Sequence, residues 1–155
     1  LLEEYKLLRS HKAKALRELR ILSKENRFEE RAQILLSISG IGMVGSMCFL
    51  TEIGDIRRFK NLDQLCSMIG IIPTTNASGD RMGVGRMTKR GKKEVKNVLI
   101  EAAWVAVRCD RELREAFNRY CQRMKKNKAI VRIAKKLLNR IRTVLLQNRP
   151  YIKSE

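Results

Sequence analysis

The chain has 155 residues, 44% of them hydrophobic, and a formal net charge of +18. This length and composition allow one substantial core and exclude an intrinsically disordered protein, so we expect a single globular domain. Uninterrupted apolar stretches are only a few residues long, which excludes a transmembrane helix and predicts a cytoplasmic protein. The four cysteines form no Cys-x-x-Cys pair, so we expect reduced thiols and no metal site in this chain.

Most of the positive charge lies in the C-terminal half of the chain. Residues 1–80 carry 12 Lys and Arg against 10 Asp and Glu, whereas residues 81–155 carry 22 against 6. Such a one-sided charge predicts a polyanionic partner, either nucleic acid or an anionic membrane surface. Nucleic acid is favoured because Lys and Arg displace the counterions condensed on phosphates, and we therefore predict DNA as a partner.

Residues 1–26 have the pattern of a coiled-coil-like helix. Steps of four and three residues connect the members of one seam, which are Leu1, Tyr5, Leu8, Lys12, Ala15, Leu19 and Leu22. Three heptads with one lysine in the seam fit either a coiled coil that makes a homo-oligomer or a helix packed on its own domain. The chain starts with Leu inside this register, so we expect an upstream domain that this helix joins to residues 27–155.

A helix, a glycine turn and a second helix follow. The turn is Gly40-Ile41-Gly42, and the second helix runs from Met43 to Ile53. This arrangement is typical of the helix-hairpin-helix motif, in which backbone N–H groups at the second helix face a DNA phosphate. We therefore name Gly40 and Gly42 as candidate nucleic-acid-binding residues. An ordinary helical hairpin with a glycine at its C-cap fits the pattern equally well.

The segment from Ile71 to Gly91 is rich in glycine and contains a proline. We interpret it as an ordered, glycine-rich loop that presents Ser78, which is followed by Gly79. Six cations follow within a short distance and are candidate nucleic-acid-binding residues: Arg81, Arg86, Lys89, Arg90, Lys92 and Lys93.

The remaining pattern is helical, which makes the predicted fold mainly α. An amphipathic helix with Trp104 precedes a helix that Asp110 caps, and a long last helix starts near Lys128 and ends before Pro150. In this last helix Arg140 and Arg142 fall largely outside the apolar stripe.

Phosphodiester chemistry suits the Ser78 segment better than acyl transfer. The only histidine, His11, lies in the first helix, which argues against a Ser-His-Asp site, whereas guanidinium and ammonium groups stabilise phosphoryl charge. The alternative is that the Ser-Gly pair only forms a turn, next to a cationic patch that binds DNA non-specifically. Glu52, Asp55 and Asp63 are more typical of solvated helix ends than of a two-metal nuclease.

Taken together, these stretches resemble one protein family, the C-terminal transposase domain of the IS110 family of insertion sequences. The resemblance covers about Ile34 to Leu146, and the motifs that carry it are Leu36-Ser37-Ile38-Ser39-Gly40-Ile41-Gly42, Glu52-Ile53-Gly54-Asp55-Ile56 with Phe59, Gly70-Ile71-Ile72-Pro73, Ser78-Gly79, Thr88-Lys89-Arg90-Gly91 and Glu101-Ala102-Ala103-Trp104. The sequence departs from the family in Ser39, where a proline is common, and in the run Lys92-Lys93-Glu94-Val95-Lys96.

The resemblance implies a function that composition does not reveal. Members of this family are DNA recombinases directed by a structured guide RNA, and the serine of their Ser-Gly element, here Ser78, is the nucleophile. Their N-terminal RuvC-like domain carries an acidic site for Mg²⁺, so we expect no cofactor in this chain and Mg²⁺ in the upstream part. We also expect a prokaryotic, nucleoid-associated protein whose isolated C-terminal piece is inactive. The alternative function is a non-catalytic helix-hairpin-helix module that binds nucleic acid.

Overall fold

The computed structural model of the chain describes residues 1–71, 73–76, 83–87 and 91–152. The described part is mainly helical, as the sequence predicts. It contains a short 3-10 turn, Ile56–Arg58, and the following α-helices: α1 (Leu2–Leu22), α2 (Glu29–Leu36), α3 (Met43–Ile53), α4 (Leu62–Ile69), α5 (Lys93–Cys109), α6 (Arg111–Cys121) and α7 (Lys126–Gln147). None of the described helices is both long and apolar enough to span a bilayer.

The long helix α7 lies at the centre of the domain. Apolar side chains recur along it at steps of three and four, from Ala129 to Leu145, and are buried. Helices α2, α4, α5 and α6 and the 3-10 turn all pack against it. Because α7 contributes to nearly every layer of the core, it fixes the relative positions of the other helices.

A partly buried ion-pair network holds α7 to the corner between α5 and α6. Asp110 caps α6 by accepting a hydrogen bond from the Leu113 N–H at 2.9 Å. Arg140 on α7 donates to Asp110 Oδ2 at 2.7 Å and to Glu112 Oε2 at 2.5 Å, and its guanidinium stacks on the Tyr151 ring. The prediction that Arg140 lies outside the buried stripe is wrong, since this residue is only 9% exposed. Two carboxylates compensate its charge, which is what burial of a guanidinium requires.

Within the described residues, helix α1 contacts the rest of the domain only near its C-terminal end. Leu19 and Leu22 pack against the core, and α1 contacts α3. The first half of the heptad seam is exposed, with Leu1, Tyr5 and Leu8 all more than half accessible. The intramolecular interpretation therefore holds for the C-terminal end of the helix, while its N-terminal half presents an apolar seam to solvent in this single chain.

Two short strands interrupt the segment that the sequence analysis interprets as a loop. β1 (Pro73–Asn76) pairs antiparallel with β2 (Gly83–Met87), and Thr75 faces Val84 in the register. The expectation of a loop throughout is wrong for these residues. Thr and Val are β-branched and favour extended backbone, a preference that the abundance of glycine obscures in the sequence.

Candidate nucleic-acid interface

Several of the predicted site residues lie outside the described part of the chain. Ser78, Arg81, Lys89 and Arg90 belong to this group, and Arg86 lies in β2, of which only the backbone pairing is described. Their proposed roles therefore stay predictions. The strand pairing does establish that the sequence containing Ser78 connects β1 to β2.

The two ends of this β segment meet at the C-terminus of α4. Gly70 ends α4 in the left-handed conformation, and the buried Ile71 leads into the segment. At the exit, Gly91 has φ of +108°, and a Cβ there would lie 2.7 Å from the Gly70 nitrogen. The Lys92 N–H donates to the Met68 carbonyl at 3.2 Å. The entry and exit are thus held together by backbone contacts that only glycine permits at position 91.

Lys92 and Lys93 stand where α5 begins, directly after this anchor. Lys92 Nζ donates to Glu52 Oε2 at 2.5 Å, and both side chains are more than a third exposed. Exposed ion pairs contribute little stability, so a phosphate can replace Glu52 as the partner of Lys92. Lys93 is exposed and makes no ion pair with the described residues. Lys93 is therefore the more readily available cation of the two.

Gly40, in the turn between α2 and α3, packs against the backbone of α5. Its φ is +90°, and a Cβ would lie 2.3 Å from the Ala102 carbonyl oxygen and 2.8 Å from the Ala106 nitrogen. Glycine is therefore required for the close approach of the turn to α5, a packing role that the sequence pattern does not distinguish from phosphate binding. The prediction that Gly40 contacts nucleic acid stays a prediction.

Gly42 occupies a different environment at the N-terminus of α3. It is exposed, and a Cβ at this position would have no atom within 4 Å. It is the N-cap of α3, and as a glycine it has no side chain that could cap the helix. The first N–H groups of a helix lack partners within the helix and carry its positive dipole end, so this terminus has the geometry that attracts anions.

A stripe of cations that was not among the predicted site residues runs along the exposed face of α7. We call it the α7 stripe, and its members are Lys125, Lys128, Arg132 and Lys136, all exposed. Their steps of three and four residues put them on one face over about 16 Å. The first turn of α7 contains no acidic residue. Cations at a helix N-terminus oppose the helix dipole, so these lysines do not stabilise α7 and are available to an anionic partner.

The three carboxylates considered for a metal site have separate structural partners. Glu52 pairs with Lys92, Asp55 caps the 3-10 turn, and Asp63 accepts from Lys135. No group of three or more His, Cys, Asp or Glu residues in the described ranges can hold a metal ion. The described residues therefore do not fit the Mg²⁺ that the resemblance implies for the longer protein.

The fold and its charges define a small helical domain with cations on exposed helix faces. A family model described as Transposase IS116/IS110/IS902 family matches residues 32–118. The match covers more than half of the chain, so the chain belongs to this transposase family.

Individual relatives agree with this assignment. The chain is 28% identical to a probable family 20 transposase of Pseudomonas aeruginosa, over 77% of this chain and 35% of the relative. It is 31% identical to the transposase for insertion sequence element IS1111A of Coxiella burnetii, over 59% of this chain and 24% of the relative. It is also 32% identical to the pilin gene-inverting protein of Moraxella bovis, over 79% of this chain and 39% of the relative. The chain thus spans about a third of the length of these relatives.

Proposed function

We propose that this chain is the part of a DNA transposase or recombinase that binds DNA and supplies Ser78 as the nucleophile for strand cleavage and exchange. One observation carries the proposal. The chain belongs to a transposase family, and its Ser78-Gly79 element lies in sequence between two paired strands whose ends are anchored on α4. A Ser78→Ala variant of the full-length protein tests the covalent step, because the adduct requires that hydroxyl.

DNA binding in this proposal rests on backbone phosphates. The open N-terminus of α3 at Gly42, the exposed Lys93 and the α7 stripe each offer donors or positive charge. Phosphate contacts position a protein on DNA without reading its sequence, so target choice has to come from elsewhere. A structured guide RNA and an upstream RuvC-like domain with Mg²⁺ are proposals for the longer protein.

The first testable consequence is a steep dependence of DNA affinity on salt. The association constant for duplex DNA should fall with a log–log slope of about −0.9 for each phosphate neutralised, because bound cations release condensed counterions. Lys125→Gln/Lys128→Gln should make the slope less steep by about 2, since two phosphate contacts are lost. Fluorescence anisotropy from low to physiological salt measures both slopes.

The matched control is Lys6→Gln/Lys14→Gln, which removes the same charge from the exposed surface of α1. It should leave the slope near the wild-type value. A binding constant that does not change with salt would contradict binding through phosphates.

A second consequence concerns the exposed seam of α1. We propose that its N-terminal half self-associates, since Leu1, Tyr5 and Leu8 are accessible along one heptad seam. Tyr5→Glu/Leu8→Glu should convert the associated protein to a monomer in sedimentation velocity, because it places charge in the seam. Leu7→Glu is the control, since Leu7 is 55% exposed but lies off the seam. A wild-type chain that sediments as a monomer at high concentration would exclude this interface.

The second candidate function is a non-catalytic nucleic-acid-binding module. The open N-terminus of α3 at Gly42 favours it, because anion binding there needs no nucleophile. The two functions differ in one outcome: only the transposase proposal requires a covalent bond between the protein and DNA.

A further inference from the structure

A groove between α6 and α7 combines positive charge with an apolar floor. We call it the α6–α7 groove, and its volume is about 410 Å³. Leu62 at the start of α4 closes one side. The α7 wall carries Arg132, Lys135, Lys136, Asn139 and Arg140, and the α6 wall carries Glu112, Leu113 and Tyr120. This volume is within the range of sites that enclose a small organic molecule.

Two of the four cations in the groove are already neutralised by protein carboxylates. The Arg140 guanidinium pairs with both Asp110 and Glu112 and is nearly buried. Its charge is therefore compensated, and Arg140 forms part of the wall of the groove. Lys135 Nζ donates to Asp63 Oδ1 at 2.8 Å, and this hydrogen bond raises the pKa of Lys135, which keeps the ammonium charged. Both partners are largely exposed, so the pair contributes little and a phosphate can replace Asp63.

Arg132 and Lys136 are the available charges. Both are exposed, and neither makes a hydrogen bond or ion pair with the described residues. They lie four residues apart on α7, so their charges act on the same side of the groove. Together they can hold one phosphate at the mouth of the groove, Arg132 with two parallel N–H groups and Lys136 as a point charge.

The apolar floor of the groove favours a ligand that has an apolar or aromatic part as well as a negative charge. Leu113 is 1% exposed, and Leu62 and Tyr120 are half-buried, so this surface is apolar and partly aromatic. The phosphates of an intact duplex lie outside its stacked bases, so a duplex cannot place a base on Tyr120. An unpaired nucleotide has both parts, an anionic phosphate and a flat base that stacks on aromatic rings. The Asn139 side chain adds a donor and an acceptor for a base edge.

We propose that the α6–α7 groove binds an unpaired nucleotide of a single-stranded nucleic acid, with its phosphate on Arg132 and Lys136 and its base on Tyr120. This inference rests on the proposed function and extends it, because the transposase proposal requires only binding to duplex phosphates. The α7 stripe leads from Lys125 into the groove and gives the strand a continuous track of positive charge.

The test compares single strands with duplexes in the 155-residue chain. Fluorescein-labelled oligonucleotides of about 12 nucleotides, thymidylate DNA and uridylate RNA, are titrated by anisotropy beside a duplex of equal length. Tyr120→Leu should weaken single-strand binding at least about fivefold, because base stacking is lost while apolar volume stays. Tyr120→Phe retains the ring and should bind like the wild type. Duplex binding should stay unchanged in both variants.

A charge variant tests the phosphate half of the groove. Arg132→Gln/Lys136→Gln should weaken single-strand binding about tenfold, well beyond the loss from the charge-matched Lys6→Gln/Lys14→Gln. If Tyr120→Leu unfolds in circular dichroism, Asn139→Ala replaces it as the test of the base half, since Asn139 is exposed and is the proposed partner of the base edge. Whichever of the two single strands binds more tightly, DNA or RNA, is identified as the natural ligand. Either preference supports the groove as a single-strand binding site.

Two results would overturn the inference. One is single-strand affinity that Tyr120→Leu leaves unchanged or lowers only as much as duplex affinity. The other is a groove charge variant that behaves like the α1 control. In either case, salt-dependent duplex binding by the wild-type chain would leave the proposed transposase function standing, so the two failures are distinguishable.

Discussion

In the full-length transposase, Ser78→Ala should abolish the covalent bond between protein and DNA and leave DNA binding intact. In the proposed step, Ser78 Oγ gives up its proton to a base and forms a bond to phosphorus, a bridging P–O bond to a deoxyribose breaks, and the leaving oxygen takes up a proton. Alanine has no oxygen to form this bond, so the effect on adduct formation is a complete loss. The cations proposed to hold the phosphates are untouched by the substitution.

The same chemistry predicts that the isolated chain binds DNA without cutting it. A serine hydroxyl is almost fully protonated near neutral pH and needs a base to become a competent nucleophile. The only histidine, His11, lies on the exposed surface of α1, and Lys and Arg stabilise phosphoryl charge but are poor bases. We therefore propose that the base comes from outside this chain.

The experiment traps the adduct with a denaturing quench and locates the attachment site by peptide mass spectrometry. Ser67→Ala is the matched control, because Ser67 is an exposed serine near the start of the same β segment. It should form the adduct at the wild-type level. An adduct that persists in Ser78→Ala, or that maps to Tyr120 or Tyr151, would remove Ser78 from the mechanism and favour the non-catalytic module.

Periodicity alone predicts most of the helical framework. The long apolar stripe of the last helix predicts a start near Lys128, and α7 begins at Lys126. The predicted Asp110 cap is confirmed, because its side chain accepts a hydrogen bond from the Leu113 N–H. These features depend on residues close in sequence, which is why sequence reasoning finds them.

Features that depend on distant partners are harder to predict. Arg140 is buried because Asp110 and Glu112, about 30 positions earlier, lie beside it. The β1–β2 pairing is not evident, because glycine and threonine within it also fit an irregular loop.

The candidate site is only partly predictable for the same reason. Sequence position associates Lys92 and Lys93 with the Ser78 segment, but it does not show that Glu52, 40 positions away, pairs with Lys92. The α6–α7 groove joins residues from three helices, so no local pattern reveals it. The helical spacing of Lys125, Lys128, Arg132 and Lys136, together with their position at a helix N-terminus, is a signal in the sequence that would have identified the stripe.

Alanine substitution at the two glycines of the α2–α3 turn should affect stability very differently. Gly40→Ala should lower the free energy of unfolding by about 4 kcal/mol, part from the positive φ and the rest from the clash with α5. The new Cβ would lie 2.3 Å from the Ala102 carbonyl oxygen, a backbone atom that cannot move without shifting the helix. Such a loss is a large fraction of the stability of a small domain. Urea denaturation followed by circular dichroism measures it.

Gly42→Ala is the matched control for stability and the informative variant for binding. Its backbone has φ of −98°, and a Cβ there would meet no atom within 4 Å, so the free energy of unfolding should change by less than about 1 kcal/mol. If a phosphate approaches the open N-terminus of α3, the added methyl obstructs it, and duplex affinity should fall in a protein of unchanged stability. Equal stability losses in the two variants would contradict the packing role of Gly40. Unchanged duplex affinity in Gly42→Ala would remove the α3 N-terminus from the interface and leave the α7 stripe as the main phosphate contact.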